Sequence, residues 1–413
     1  VRIDALPAGG PYTLEVSTDK QRLVYHNVLA GDVWLCSGQS NMEFKLALTE
    51  TSMTDIPKAN NAHIRLLNME ARWPTDNLSW SKSALDSVNQ LQYLTTEGWK
   101  ECSSETVKGF SAVGYYFGKI LQQKLDIPIG LICNAVGGTG TESWVDRHSL
   151  EYGFPSVMYR WNDNDFIQPW VKVRAMENIK LADQSLQRHP YHPCYMFEAG
   201  ILPLEHYAIK GVIWYQGESN AHNKDAHERL FKLLVNGWRQ YWDQPEMPFY
   251  YTQLSSHKRP SWHGFRDSQR LLLGQLTNVG MAVCSDIGNK ADVHPRRKRE
   301  IGQRLAAWAL NKTYGMTDVV PSGPLFNDVV FNNDLAIVSF DYAEGMTTSD
   351  GKAIRTFELA GDDGLFYPAE AKVINETSTI EVKSDKVTAP VAVRYGWQPF
   401  TDANLVNAAG LPA

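Results

Sequence analysis

Cysteine is scarce, with five in 413 residues. No two of them stand as C-x-x-C, which excludes a zinc ribbon and a dithiol redox motif. Most sit among apolar or aromatic neighbours, so buried free thiols are expected and the compartment stays open. Long hydrophobic runs are also missing. Nothing approaches the roughly 18 apolar residues of a membrane span. Positive charge is not in excess: 40 Lys and Arg against 46 Asp and Glu leave a net charge of -6, which argues against nucleic acid as a partner. There are no internal repeats and no low-complexity tracts. The opening residues Val1 to Asp4 carry neither a signal peptide's apolar stretch nor an initiator Met, and read as a mature or trimmed product. Gly138-Thr-Gly140 lacks the third glycine of a dinucleotide fingerprint, and no lysine completes a phosphate loop. His189-Pro-Tyr-His192 and the pair His222 and His227 lack an acidic partner at zinc-site spacing. No metal and no cofactor is expected.

What is present is an ordinary folded composition, 43% hydrophobic and 21% charged. The length exceeds one compact core, so two domains plus fragments are expected. The 13 Trp and 18 Tyr either fill cores or stack on sugars, and composition alone favours the core.

Residues 1–31 read as β, with alternation at Tyr12 to Val16 and a turn at Gly9-Gly10-Pro11; they resemble the end of a larger β unit. From 32 to 311, short apolar strands alternate with helical periods. The strands are Val33–Cys36, Ile64–Leu67, Ile129–Cys133, Val212–Tyr215, Phe249–Leu254 and Met281–Cys284. The helices are Ala112–Leu125, His227–Trp242, Phe265–Leu276 and Arg297–Leu310, the last with Ile301, Leu305, Trp308 and Ala309 on one face. Such alternation predicts a parallel sheet covered by helices on both sides, with its site at the strands' carboxyl ends. Residues 151–195 read as an insertion at the sheet's edge, helical only near Val171–Leu186, of the kind that shapes specificity. After Pro321-Ser-Gly-Pro324 only short alternating runs remain. They predict an accessory β-sandwich over 312–413, completed by the N-terminal β segment.

Four strand ends carry chemistry. Asp32-Val-Trp-Leu-Cys-Ser-Gly-Gln-Ser40 places a hydroxyl just past a buried strand, where α/β enzymes tend to hold a nucleophile. The competing reading is a helix cap at Ser40 or Asn41, with Glu43 closing a capping box. The general elbow G-x-S-x-G is not met, since Met42 stands at its second glycine. Downstream, Asp292-Val-His294-Pro sets a carboxylate two residues before an imidazole, a spacing that lets the acid fix the tautomer. Taken alone, a histidine is more often structural than catalytic, and Asp292 reads equally as a cap for the helix after Pro295; beside Ser40 they read as base and orienting acid. Trp214-Tyr-Gln-Gly-Glu-Ser-Asn220 runs a strand into Gln216, Glu218 and Asn220, which either tether loops or donate to an oxyanion. Asn134-Ala-Val-Gly-Gly-Thr139 offers backbone N–H groups in a glycine turn.

Together Gly38-Gln-Ser-Asn-Met42, Gly137-Gly-Thr139, Trp214-Tyr-Gln-Gly-Glu-Ser-Asn220 and Asp292-Val-His-Pro295 resemble the four blocks of the sialate O-acetylesterase family within the SGNH hydrolases. The resemblance extends to Gly31-Asp-Val-Trp-Leu35, to Val393-Arg-Tyr-Gly-Trp397 and to Asn404 through Pro412. It implies a flavodoxin-like three-layer α/β/α domain with accessory β-structure, removal of acetyl groups from sugars, and a secreted or periplasmic home. It implies Ser40 as nucleophile and His294 as base, with the backbone N–H of Ser40 and Gly138 lining the oxyanion hole and Gln216 or Asn220 adding a side-chain donor. In the wider pattern the acid stands three residues before the histidine, where this chain has Ala291. Asp292 must then serve, or Glu218 or a backbone carbonyl orients the ring. Gly217 and Asn220 also stand one residue further apart than in the wider third block.

The expected function is a metal-free carbohydrate O-acetylesterase working through an acetyl-serine on an acetylated sugar or polysaccharide. A non-catalytic glycan binder on the same fold is the alternative, against which the intact Ser40, Asp292 and His294 set argues. A sialate needs an arginine near the pocket, for which Arg147 and Arg174 are candidates. Neutral xylan needs platforms such as Trp144, Trp161 and Trp170. Gln39, Trp144 and Arg147 are the residues expected to touch substrate.

Overall fold

The apolar runs of the first three hundred residues become neighbours in one sheet. In the computed structural model, which describes residues 6–184, 186–374 and 377–413, an N-terminal hairpin of β1 (Gly9–Ser17) and β2 (Arg22–Ala30) leads into β3 (Asp32–Gly38). Then come β4 (Asn61–Ala71), β5 (Leu94–Thr95), β6 (Trp99–Cys102), β7 (Ile129–Ala135), β8 (Gly211–Tyr215), β9 (Phe249–Thr252) and β10 (Val279–Ala282). The sheet runs β10-β9-β8-β3-β7-β4, all parallel, with β5 and β6 antiparallel against β4 at the edge. The chain leaves β3, passes over the place of β7 to form β4, returns to β7, and then crosses to β8 on the other side. The strand order reverses at β3, and a crevice opens there at the carboxyl ends.

Period two sends alternate side chains of each strand to opposite faces. Leu35, Ile132, Val212 and Trp214 join one core with Leu230, Leu234 and Trp238 of the helix Lys224–Tyr241. Trp34, Cys36, Leu131 and Ile213 join the other with Val113, Phe117 and Leu121 of Ala112–Leu125 and Ile301, Leu305 and Trp308 of Arg299–Trp308. Trp34, Leu35 and Cys36 are fully buried. Burying a side chain the size of Leu35 contributes about 1.5–3 kcal/mol. All five cysteines are buried and free. Among the described residues no helix is long and apolar enough to cross a membrane.

Beyond Pro324, a four-stranded sheet joins β11 (Leu325–Asn332), β12 (Leu335–Asp341), β17 (Thr379–Lys383) and β16 (Glu370–Ile374). A three-stranded sheet joins β15 (Phe366–Pro368), β14 (Phe357–Ala360) and β18 (Ala392–Tyr395). Val338, Ile380 and Val382 of the first share a core with Phe357 and Leu359 of the second. The pair β13 (Thr347–Thr348) and β19 (Leu405–Val406) lies beside them.

Two expectations are corrected. The N-terminal segment does not complete these C-terminal sheets: β1 and β2 pair only with each other among the described residues. The reason is local. Asp32 N–H donates to Pro128 O at 3.1 Å and Asn27 Nδ2 to Glu101 at 2.5 Å, which holds the hairpin at the amino end of the central sheet, away from the crevice. The opening residues Val1 to Asp4, expected to be a mature or trimmed start, lie outside the described residues. The helix expected near Val171–Leu186 is Pro169–Asn178. Asn178 ends it by turning its amide to Asp76 O and Leu78 O, at 2.6 and 2.7 Å.

Candidate active site

β3 and β8 approach so closely at their carboxyl ends that a Cβ on Gly38, at φ +138°, would stand 2.2 Å from Tyr215 O. Only glycine fits, and the chain then turns sharply into the short helix Ser40–Glu43. That turn puts Ser40 Oγ 2.8 Å from His294 Nε2. The capping alternative is corrected here. Gln39 occupies the cap position and its side chain makes no capping bond. Glu43 instead accepts the N–H of Gly137 at 2.8 Å, tying the first strand end to the second.

His294 Nδ1 lies 3.3 Å from Asp292 Oδ1, which also accepts the His294 backbone N–H at 2.8 Å. The Asp292 side chain is 57% exposed, so water screens much of its pull. Burial, then the nearby Lys298 ammonium, lowers the imidazole pKa below its ordinary value, and Asp292 opposes them. Lys298 is wholly buried and its pKa is lowered to about 7, chiefly by desolvation. It donates to Asn41 Oδ1, and Asn41 Nδ2 donates to Glu218 Oε1 and, at 2.9 Å, to Val293 O. Glu218 thus bonds Asn41 and makes no bond to the imidazole. Its carboxyl is pushed up by burial, and Oε2 has no partner among the described residues.

Neither the N–H of Ser40 nor that of Gly138 meets an acceptor among the described residues, and both residues line one cleft of ≈ 590 Å³ with His294. The expected side-chain donors do not reach it. Gln216 Nε2 donates to Asn220 Oδ1 at 2.6 Å and to Thr139 O at 3.3 Å, while Asn220 Nδ2 donates to Glu142 Oε2 at 2.8 Å. Both amides are consumed in a buried network with Thr141 behind the cleft. Gln39 is the amide that faces the cleft. Its Oε1 accepts the N–H of Gly217 at 3.4 Å and of Ser219 at 3.3 Å. Two N–H groups at one atom identify that atom as the oxygen, and Nε2 has no acceptor among the described residues.

Of the expected substrate contacts, Trp144 is fully buried and donates Nε1 to Thr139 Oγ1 at 2.9 Å; it is core. Arg147 lies outside the cleft, paired with Glu198 at 2.9 Å and Glu151 at 3.8 Å. Trp161 is core, stacked on His192. Trp170 and Arg174 do line the cleft, as does Arg259, which the sequence reading missed. Arg259 follows β9, and the strand-end rule applied to Ser255-Ser-His-Lys-Arg259 was the signal available. Gln168 Nε2 donates to Glu218 O at 2.8 Å and pins the 151–195 segment over the third strand end. Among the described residues no cluster of three metal-ligating side chains occurs.

A serine–histidine pair at the switch point of a parallel sheet, beside unpaired backbone N–H groups, defines an esterase-type hydrolase site. The family model for "carbohydrate esterase, sialic acid-specific acetylesterase" matches residues 30–175 and 193–311, more than half of the chain. The chain belongs to that family and is a carbohydrate esterase. It is similar to the sialate O-acetylesterase of Rattus norvegicus, 28% identical over 438 residues, covering 96% of this chain and 79% of the relative. The Homo sapiens sialate O-acetylesterase is 27% identical over 435 residues, with 96% and 76% covered. A solved carbohydrate acetylesterase from Xanthomonas citri superposes with a TM-score of 0.82 at 33% identity, covering all of this chain and 86% of that one.

Proposed function

We propose that this chain is a serine O-acetylesterase acting on acetylated sugars that carry a negative charge. The observation that carries the mechanism is the 2.8 Å contact of Ser40 Oγ with His294 Nε2 in a cleft lined by open N–H donors. Ser40 Oγ attacks the acetyl carbonyl carbon while Nε2 takes its proton. The oxyanion rests on the N–H groups of Ser40 and Gly138 and on Gln39 Nε2, in place of Gln216 or Asn220. The ester C–O bond breaks, and the sugar oxygen takes the proton from Nε2. Water, deprotonated by His294, attacks the acetyl-serine, and acetate leaves with Ser40 restored. Asp292 holds the Nδ1 proton and so the tautomer. We assign this chemistry to residues 32–311 as a flavodoxin-like SGNH domain and 312–413 to an accessory domain. A secreted or periplasmic location rests on the family resemblance alone.

A base must be neutral to accept a proton. The direction of the His294 shift therefore predicts an acid limb of kcat/KM below the ordinary histidine value of about 6.5. Removing the Lys298 cation lifts the imidazole pKa. In Lys298→Met the limb should move to higher pH, by about one unit. A pH–rate profile in which the limb stays or falls contradicts this arrangement.

The charge of the substrate follows from Arg174 and Arg259. Neither has an ion-pair partner among the described residues, and they lie 5.0 Å over Trp170 and 5.5 Å over Trp262. Two unpaired guanidiniums in a cleft with the nucleophile favour a carboxylate-bearing sugar. One face of Trp170 is already covered by Arg174, which leaves less platform for a neutral chain. Acetate release should be faster from O-acetylated sialic acid than from acetylated xylan. Arg174→Met and Arg259→Met should each cut that ratio about tenfold. Release from xylan alone would overturn the acidic-sugar reading. Release from neither sugar, nor from an activated acetate ester, would overturn the esterase in favour of a glycan binder.

A further inference from the structure

We propose that Thr75 and Tyr191 are positioning residues for the oxyanion hole: their hydroxyls grip the Gly137 carbonyl and so aim the N–H of Gly138 at the substrate. This rests on the esterase reading above. The carbonyl of Gly137 and the N–H of Gly138 belong to one planar trans peptide, so they point in opposite directions. Thr75 Oγ1 donates to Gly137 O at 3.2 Å and Tyr191 Oη at 3.1 Å. With its oxygen held on one side, the plane cannot rotate, and the N–H faces the other way. Glu43 holds the preceding N–H, that of Gly137, so the peptides on both sides of this residue are fixed.

The two hydroxyls come from separate loops that are laced together. Asn178 Nδ2 donates to Asp76 O and Leu78 O in the Thr75 loop, at 2.6 and 2.7 Å. Its Oδ1 lies 3.0 Å from His189 Nε2, and His189 Nδ1 accepts the Tyr191 N–H at 3.0 Å. Since Oδ1 can only accept, His189 carries its proton on Nε2 and stays neutral in its buried setting. Tyr191 is fully buried and lies in the gap between the two segments matched by the family model.

The test compares Thr75→Val, Tyr191→Phe, the double variant and Thr75→Ser in the full chain. Readouts are kcat and KM on an activated acetate ester, and inhibition by a boronic acid that forms a tetrahedral adduct on Ser40. Each single loss should lower kcat about three- to tenfold. The double variant should approach the ~10²-fold of losing one donor outright. KM should hold, boronate affinity should fall in parallel with kcat, and Thr75→Ser should behave as wild type. Unchanged kcat, or a fall in kcat with boronate affinity intact, overturns the proposal. If the double variant does not fold, Thr75→Val against Thr75→Ser decides it alone. A wild type with no Ser40-dependent turnover would sink the esterase reading and this inference with it. Ser40-dependent turnover indifferent to both hydroxyls would sink this inference only.

Discussion

Ser40→Ala is expected to abolish acetate release, lowering kcat/KM by about 10⁵–10⁶-fold. The size follows from the division of labour. With Oγ gone, His294 has no alcohol to activate, and no covalent acetyl carrier can form. The remaining N–H groups can still polarise a carbonyl, which sets a floor above the uncatalysed rate. Folding should survive. Ser40 is only partly buried, and its one side-chain bond is to His294, so stability should change by less than about 1 kcal/mol. The measurement is acetate release by purified wild type and variant, with intact mass after a brief exposure to activated ester. An acetyl adduct on the wild type and none on the variant is expected. Residual turnover above about 1% of wild type would remove Ser40 from the nucleophile's role.

Gly138→Ala is expected to lower kcat by about 10²–10³-fold with a much smaller change in KM. Gly138 sits at φ +81°, a backbone region that disfavours a side chain, and an added Cβ would stand 2.2 Å from Tyr191 Oη and 2.8 Å from its Cζ. The peptide must rotate or Tyr191 must move. Either response turns the Gly138 N–H away from the place where negative charge develops. Adding Tyr191→Phe removes the hydroxyl clash but leaves the ring carbon too near, and it also frees the carbonyl, so no rescue is expected. Thermal unfolding should fall by an amount matching roughly 1–3 kcal/mol. A normal kcat in a folded Gly138→Ala would show that this N–H is not a donor to the oxyanion.

Much of this arrangement is legible in the residues. The six parallel strands announce themselves as short apolar runs because a strand buried on both faces has no polar alternation. Three of them end in polar or glycine-rich segments beside the switch point, so Ser40, Gly138 and the Gln216 loop are drawn together by topology alone. His294 arrives from far along the chain, and its segment identifies itself by Asp292 and Pro295. Side-chain direction is less legible. Gln216 and Asn220 stand at the right strand end, yet their amide nitrogens are taken from behind, that of Gln216 by Asn220 Oδ1 and Thr139 O and that of Asn220 by the Glu142 carboxyl, because a buried acceptor needs a donor more than an open cleft does. By sequence, Gln39 is a substrate contact. That its amide nitrogen is left toward the cleft follows only from the N–H groups of Gly217 and Ser219, which no local pattern reveals. Trp144 looked like a platform but packs edge-on against Trp214 at 6.0 Å. Arg147 looked like an anion receptor but has Glu198 beside it. The N-terminal hairpin read as part of the C-terminal sheets because alternation names a strand and not its partner.

The 151–195 segment does two jobs at once. Its outer side carries Trp170 and Arg174 to the cleft, and its inner end carries Tyr191 to the Gly137 carbonyl. Diversification of this segment is therefore constrained from within. Its sugar-facing positions are free to drift toward new glycans only while the His189–Tyr191 stem keeps its length and seating. Grafting the segment between relatives would transplant preference intact when the stem is carried along. Cutting the graft short of residue 191 would exchange the preference and slow the turnover.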